Sequence, residues 1–114
     1  MKADKTLLSG SATLLVLSLL SGGDKYGYEM IAELEARSDH TFSMKEGTLY
    51  PILHTLEKQG AVQSYEKEAP SGRTRKYYRI TRSGLKLLGE KKEEWNTFSQ
   101  AVNAVLAGCA PAMA

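Results

Sequence analysis

The chain has 114 residues, with 15 Lys and Arg against 13 Asp and Glu for a formal net charge of +2, and one cysteine. That length supports a single domain with a modest core, one that burial against a second copy would help. So nearly balanced a charge excludes a bulk polybasic or polyacidic character, and the lone Cys109 excludes an internal disulfide, which fits a reducing cytoplasm.

From the N-terminus, MKADKTLLSGSA reads as a polar arm leading into a run in which Leu14, Leu15, Val16, Leu17, Leu19 and Leu20 leave almost no face polar. At about ten residues the run is half of what a bilayer crossing needs. No small-residue cleavage site follows it, which argues against a signal peptide. The expectation is a first helix over about 8–21, buried on several sides, packing on its own domain with one face and on a second subunit with the other. Gly22, Gly23 and Asp24 end it, and a second helix over 27–38 sets Met30, Ile31 and Leu34 opposite Glu29, Glu33 and Arg37.

A polar connector, Asp39 to Phe42, precedes SMKEGTLYPILHTLEKQG, the stretch richest in signals. Ser43 and Glu46 have the spacing of a capping box, so a third helix is expected over about 44–59, stopped by Gly60. Leu49, Ile52, Leu53 and Leu56 make a core stripe. Pro51 lies inside the helix, but the carbonyl it would press on belongs to Gly47, so a slight kink is expected rather than a break. The other face carries Lys45, Thr48, Tyr50, His54 and Lys58, groups suited to phosphates, base edges and thymine methyls. For that helix taken alone, a solvated face is the plainer alternative.

Residues 61–80 read as a hairpin: AVQSYEKEA as a strand, PSGR as a turn, and TRKYYRI as the returning strand. Tyr78 and Ile80 alternate onto one face, leaving Arg75, Tyr77 and Arg79 on the other. Five of the 15 basic residues, Arg73, Arg75, Lys76, Arg79 and Arg82, fall between residues 73 and 82 with no acid among them. A tip of Ser71, Gly72, Arg73 and Thr74 beside Arg75 and Lys76 suits contact with phosphate or entry into a minor groove, although cations also protect an exposed edge strand. Helix-turn-helix followed by a basic hairpin is a winged helix, so residues 1–82 are expected to form a DNA-binding domain.

Thr81 can cap a last helix over 82–106, followed by a flexible tail at 107–114. Leu85, Leu88, Trp95, Phe98, Val102 and Val105 recur along it as a coiled-coil-like seam interrupted by GEKKEE at 89–94. A helix of roughly 35 Å needs a cover for such a seam. The expected cover is a second copy, with Leu14, Leu17, Leu88, Trp95, Phe98, Val102 and Val105 at the interface. Two third helices would then meet successive major grooves about 34 Å apart on a palindromic operator. The fold class is therefore mostly α with a small β-hairpin: a winged helix-turn-helix plus a long C-terminal dimerisation helix.

No catalytic residue, cofactor or metal site is expected. His40 and His54 have no Cys or carboxylate at ligand spacing, no glycine-rich phosphate loop occurs, and Cys109 has no nearby His, leaving only thiol-based redox sensing open.

GTLYPILHTLEKQG at 47–60, RKYYRIT at 75–81 with Gly84 following, and YGYEM at 26–30 resemble the PadR-like winged-helix transcriptional regulators over roughly residues 12–106. The resemblance implies a dimeric repressor whose third helix and wing bind operator DNA, of the shorter kind without a separate C-terminal effector domain. By position it places Thr48, Tyr50 and His54 on the recognition helix, Tyr26 and Tyr28 at the start of the supporting helix, and Gly72, Arg73 and Arg75 on the wing. Thr55 stands where many relatives carry Arg, and Ala61 where they carry a larger apolar residue. It also suggests a planar hydrophobic effector between subunits near Trp95 and Phe98, although aromatic anchors of an interface look the same. The functional expectation is a homodimeric, sequence-specific DNA-binding repressor; the alternative is a winged-helix adaptor that binds protein only.

Overall fold

In a computed structural model that describes residues 5–109, the chain runs α1 (Lys5–Ser21), β1 (Lys25–Tyr26), α2 (Gly27–Arg37), α3 (Glu46–Lys58), β2 (Val62–Glu68), β3 (Thr74–Ile80) and α4 (Arg82–Gly108). Because α1 is apolar on nearly all sides it occupies the middle, packing on α2, β3 and α4. Val16, Leu17 and Leu20 are buried there with Met30 and Leu34 of α2, Leu49, Leu53 and Leu56 of α3, and Val62 and Tyr78 of the hairpin. Among the described residues no helix is long and apolar enough to cross a membrane.

The mostly helical, winged-helix class expected from the pattern is the one observed, with three differences. α1 starts at Lys5, ahead of the expected position, and α4 runs to Gly108, so the flexible tail placed at 107–114 overlaps a helix end while 110–114 lie outside the described residues. The hairpin has a third strand: β1 pairs antiparallel with β3, Lys25 opposite Tyr78 and Tyr26 opposite Tyr77, giving the order β1-β3-β2. Two residues with no alternation left no strand signal in the sequence. The third correction concerns the start of α3. Ser43 and Glu46 do not form a capping box; Lys45 is the cap residue, without a side-chain cap bond, and its carbonyl takes the first amides, those of Thr48 and Leu49, at 3.0 Å. Met44 is buried instead, plugging the core ahead of the helix.

Pro51 leaves α3 continuous, as its Gly47 partner suggested, and Thr55 Oγ1 donates to the Pro51 carbonyl at 3.0 Å. At the other end of the domain Thr81 caps α4, its Oγ1 accepting from the Gly84 amide at 3.1 Å. The same hydroxyl donates to the Gly60 carbonyl at 2.6 Å, Ser83 Oγ donates to it at 3.0 Å, and the Thr81 amide reaches the Ala61 carbonyl at 3.0 Å. The start of the wing and the start of α4 are thereby pinned together, with Ala61 buried and Gly84 against its carbonyl.

Candidate nucleic-acid interface

The exposed strip of α3 consists of Lys45, Thr48, Pro51, His54, Thr55 and Lys58, because the opposite strip is consumed by Leu49, Leu53 and Leu56. The wing lies along one side of it. Register fixes Val62 opposite Ile80 and Glu68 opposite Thr74, so Lys76, Tyr78 and Ile80 turn to the helices and Arg75, Tyr77 and Arg79 turn away. An open groove of about 300 Å³ between helix and wing is lined by His54, Glu57, Lys58 and Lys76. Two elements distant in sequence thus place Lys58 and Lys76 on one concave face. Glu57 in the same groove accepts a hydrogen bond from Ser64 Oγ, tying α3 to β2.

The hairpin tip is built by a turn in which the Gly72 amide donates to the Ala69 carbonyl at 2.8 Å and the Ala69 amide to the Arg73 carbonyl at 2.7 Å. Gly72 has φ of 85°, the left-handed region a side chain resists, which is why this position needs glycine. Arg73 is exposed at the tip.

Several residues expected at this surface are placed otherwise. Tyr50 is half-buried and turned under the start of α2: a Cβ on Gly27 would stand 2.5 Å from its hydroxyl oxygen, so Tyr50 sets the spacing of the two helices rather than lying open beside His54. Tyr26 is also half-buried, with the Arg75 guanidinium 4.5 Å above its ring. Arg75 and Lys76 therefore sit on opposite faces of the wing. Tyr28, in the first turn of α2, is 66% exposed.

The outer face of the wing joins Tyr26 and Arg79 to Tyr65, Tyr77 and Asp24, and Tyr65 and Asp24 had no role in the sequence pattern. Tyr65 stacks on Tyr77 at 5.7 Å, Tyr77 meets Tyr26 edge-on at 5.4 Å, and Arg79 lies 5.2 Å above Tyr65. Asp24, from the turn after α1, accepts from Tyr65 Oη at 2.7 Å and from Arg79 Nη2 at 3.0 Å. The Tyr65 hydrogen bond and the Arg79 guanidinium hold the Asp24 carboxyl below the usual aspartate range despite its partial burial, and the same bond pushes the Tyr65 phenol up. Period-two alternation made the Arg75, Tyr77, Arg79 face legible; nothing local announced Tyr65 and Asp24 as its partners.

Of the residues expected at a subunit interface, Leu17 and Leu88 are enclosed by the chain's own core and are not available to a second copy. Leu14 is partly buried against that core. Trp95, Phe98, Val102 and Val105 are 49%, 62%, 40% and 64% exposed, and Leu85 and Leu106 extend the same seam at 51% and 68%. The Trp95 and Phe98 rings lie 6.2 Å apart.

Comparison with known proteins identifies the fold. Residues 16–90 match the model of the transcriptional regulator PadR-like family. A transcriptional regulator from Clostridium thermocellum has a similar structure, with a TM-score of 0.82 and 36% identity over 90% of this chain and 96% of that one. A PadR-like transcriptional regulator from Bacillus cereus gives 0.77 and 32%, covering 90% and 97%. A transcriptional regulator of Mycobacterium tuberculosis is 33% identical over 89 residues, 78% of this chain and 79% of its own. By that match and those likenesses the chain belongs to the PadR-like family of transcriptional regulators.

Proposed function

We propose that the chain is a homodimeric, sequence-specific DNA-binding repressor, with α3 in the major groove and the wing tip on the adjacent backbone or minor groove. The observation that carries this reading is the convergence of Lys58 and His54 of α3 with Lys76 of the wing on one open groove. In a protein of net charge +2 the groove sets two lysines against the one Glu57 carboxylate, which Ser64 already engages, and local positive charge on a concave face recruits phosphate. Lys45 and Thr48 lie at the exposed N-terminal end of α3, where a recognition helix reads base edges. Arg73 at the tip and Arg75 on the outer face supply cations to the other side of the wing, so a hairpin lying in a groove can touch phosphates on both walls. A bound dimer over a promoter excludes polymerase, which is the simplest regulatory outcome of such a grip.

Dimerisation is supported by α4. It has 27 residues, about 40 Å, and its distal half exposes Trp95, Phe98, Val102 and Val105 as an apolar seam. A solitary helical arm of this length is marginal in water unless its apolar stripe is covered. A second copy offers the same seam in a self-complementary arrangement.

The test is the salt dependence of duplex binding. Lys76→Ala removes one phosphate contact per chain and two per dimer, so the slope of log affinity against log salt should become shallower by about two units. The affinity loss should be similar across sequences, as for any contact to the backbone. An unchanged slope would place DNA elsewhere, and an absence of duplex binding by the unaltered protein would favour the adaptor reading.

A further inference from the structure

We propose that Asp24 is a positioning residue for DNA recognition, holding the wing at a fixed angle to the helix pair by binding Tyr65 of one wing strand and Arg79 of the other. The inference rests on the proposed DNA-binding function and concerns what orients the surface that performs it.

The wing is a lever attached at its base. Its distal half, from Lys67 round to Arg75, pairs only within the hairpin, and the third strand holds it by two residue pairs, Lys25 with Tyr78 and Tyr26 with Tyr77. On the helix side the hairpin is tied to α3 by Ser64 and Glu57. On the outer side the tie is Asp24: Oδ2 receives Tyr65 Oη at 2.7 Å, Arg79 Nε at 3.1 Å and Arg79 Nη2 at 3.0 Å. Residues 41 and 55 positions away are thus gathered on one oxygen of a turn residue. With ties on both faces the hairpin cannot tilt toward either without breaking one.

The tie extends outward through the rings. Arg79 covers Tyr65, Tyr65 stacks on Tyr77, Tyr77 abuts Tyr26, and Tyr26 carries Arg75, two residues from the exposed tip cation Arg73. Lys67 rests on Tyr77 at 5.5 Å. Releasing Asp24 frees the first member of this series and so loosens the aim of the last. The carboxyl is held below the usual aspartate range, so the tie is charged at neutral and mildly acid pH and is lost only as pH falls through that lowered value. Asp24 lies in the turn that joins α1 to β1, so the tie anchors the wing to the framework of the helices.

Asp24→Asn keeps the shape and removes the charge, Asp24→Ala removes both, and Tyr65→Phe removes one donor. The probe is the duplex recovered by selection on the unaltered protein, with amide exchange, melting temperature and the ionisation of Tyr65 read by NMR in the free protein. Asp24→Ala should weaken duplex binding about tenfold while the melting temperature moves little. Amides of β2 and β3 should exchange faster, and the Tyr65 phenol in Asp24→Asn should titrate back toward the ordinary tyrosine range. Asp24→Ala combined with Tyr65→Phe should bind no worse than Asp24→Ala alone, because the two act through one contact. Wild-type affinity and wild-type exchange in Asp24→Ala would overturn the inference and leave DNA binding standing. An unaltered protein that recovers no duplex would overturn the proposed function and this inference together. A variant that weakens binding only in proportion to a large fall in melting temperature would reduce Asp24 to a fold-stabilising residue and also overturn it.

Discussion

Gly84→Ala should lower the melting temperature by roughly 5–15 °C, from an overpacking cost of about 2–3 kcal/mol less up to about 1 kcal/mol of regained helix propensity, at about 4–8 °C per kcal/mol. A Cβ at this position would fall deep inside the contact distance of the Ala61 carbonyl oxygen and 2.7 Å from Ile80 Cγ1. The carbonyl is backbone, already bound to the Thr81 amide, and cannot rotate away as a side-chain end would. Alanine's better helix propensity returns at most about 1 kcal/mol, so the clash wins. Gly89 provides the contrast within the same helix: nothing lies within 4 Å of its would-be Cβ, so Gly89→Ala gains propensity without a clash and should raise stability by up to about 1 kcal/mol. Thermal unfolding followed by circular dichroism at one fixed protein concentration separates the two, since association would otherwise shift both. Equal melting temperatures for the pair would mean that the wing and α4 are not wedged together at Gly84.

Phe98→Glu should convert the proposed dimer to a monomer in sedimentation velocity and reduce operator affinity by about a hundredfold or more. Phe98 is 62% exposed and outside the core of the single chain, so the substitution spares the fold. In a two-fold interface each substitution is met twice, and two carboxylates would be forced into an apolar seam. An aromatic anchor in such a place commonly accounts for 2 kcal/mol or more of association. The affinity loss follows because a monomer grips one half-site and forfeits the high effective concentration of the second. Leu17→Glu would be uninformative about association, since Leu17 is fully buried and its loss would unfold the chain. A Phe98→Glu protein that sediments as the unaltered protein does would move the interface away from the distal half of α4.

What was legible in the sequence was whatever repeats at a short period. The 3.6-residue stripe of α3, Leu49, Leu53 and Leu56, and the two-residue alternation around Tyr78 each state which face is buried, and the structure buries those faces. The cap at Thr81 was legible because its partner, the Gly84 amide, lies three residues on. The same rule misled at Ser43, where a correct spacing competed with the burial of Met44 and burial prevailed. Tyr50 and Leu17 show a second limit. Each belongs to a helix with more apolar or aromatic positions than one face can hold, and only the packing of α2 on α3 and of α1 in the core decides which turn inward. The Asp24 cluster marks the third. Its members come from three separate stretches and their meeting depends on β1, a two-residue strand defined solely by its partner.

The central claim is that two copies of the α3 and wing surface face the same side and grip a symmetrical duplex. Selection of bound duplexes from a random pool addresses it directly, because sequence, symmetry and spacing emerge together. The account predicts an inverted repeat whose half-sites are centred about one helical turn, roughly 10 base pairs, apart or a multiple of it. Enrichment of a single unsymmetrical site, or of no sequence at all, would contradict it.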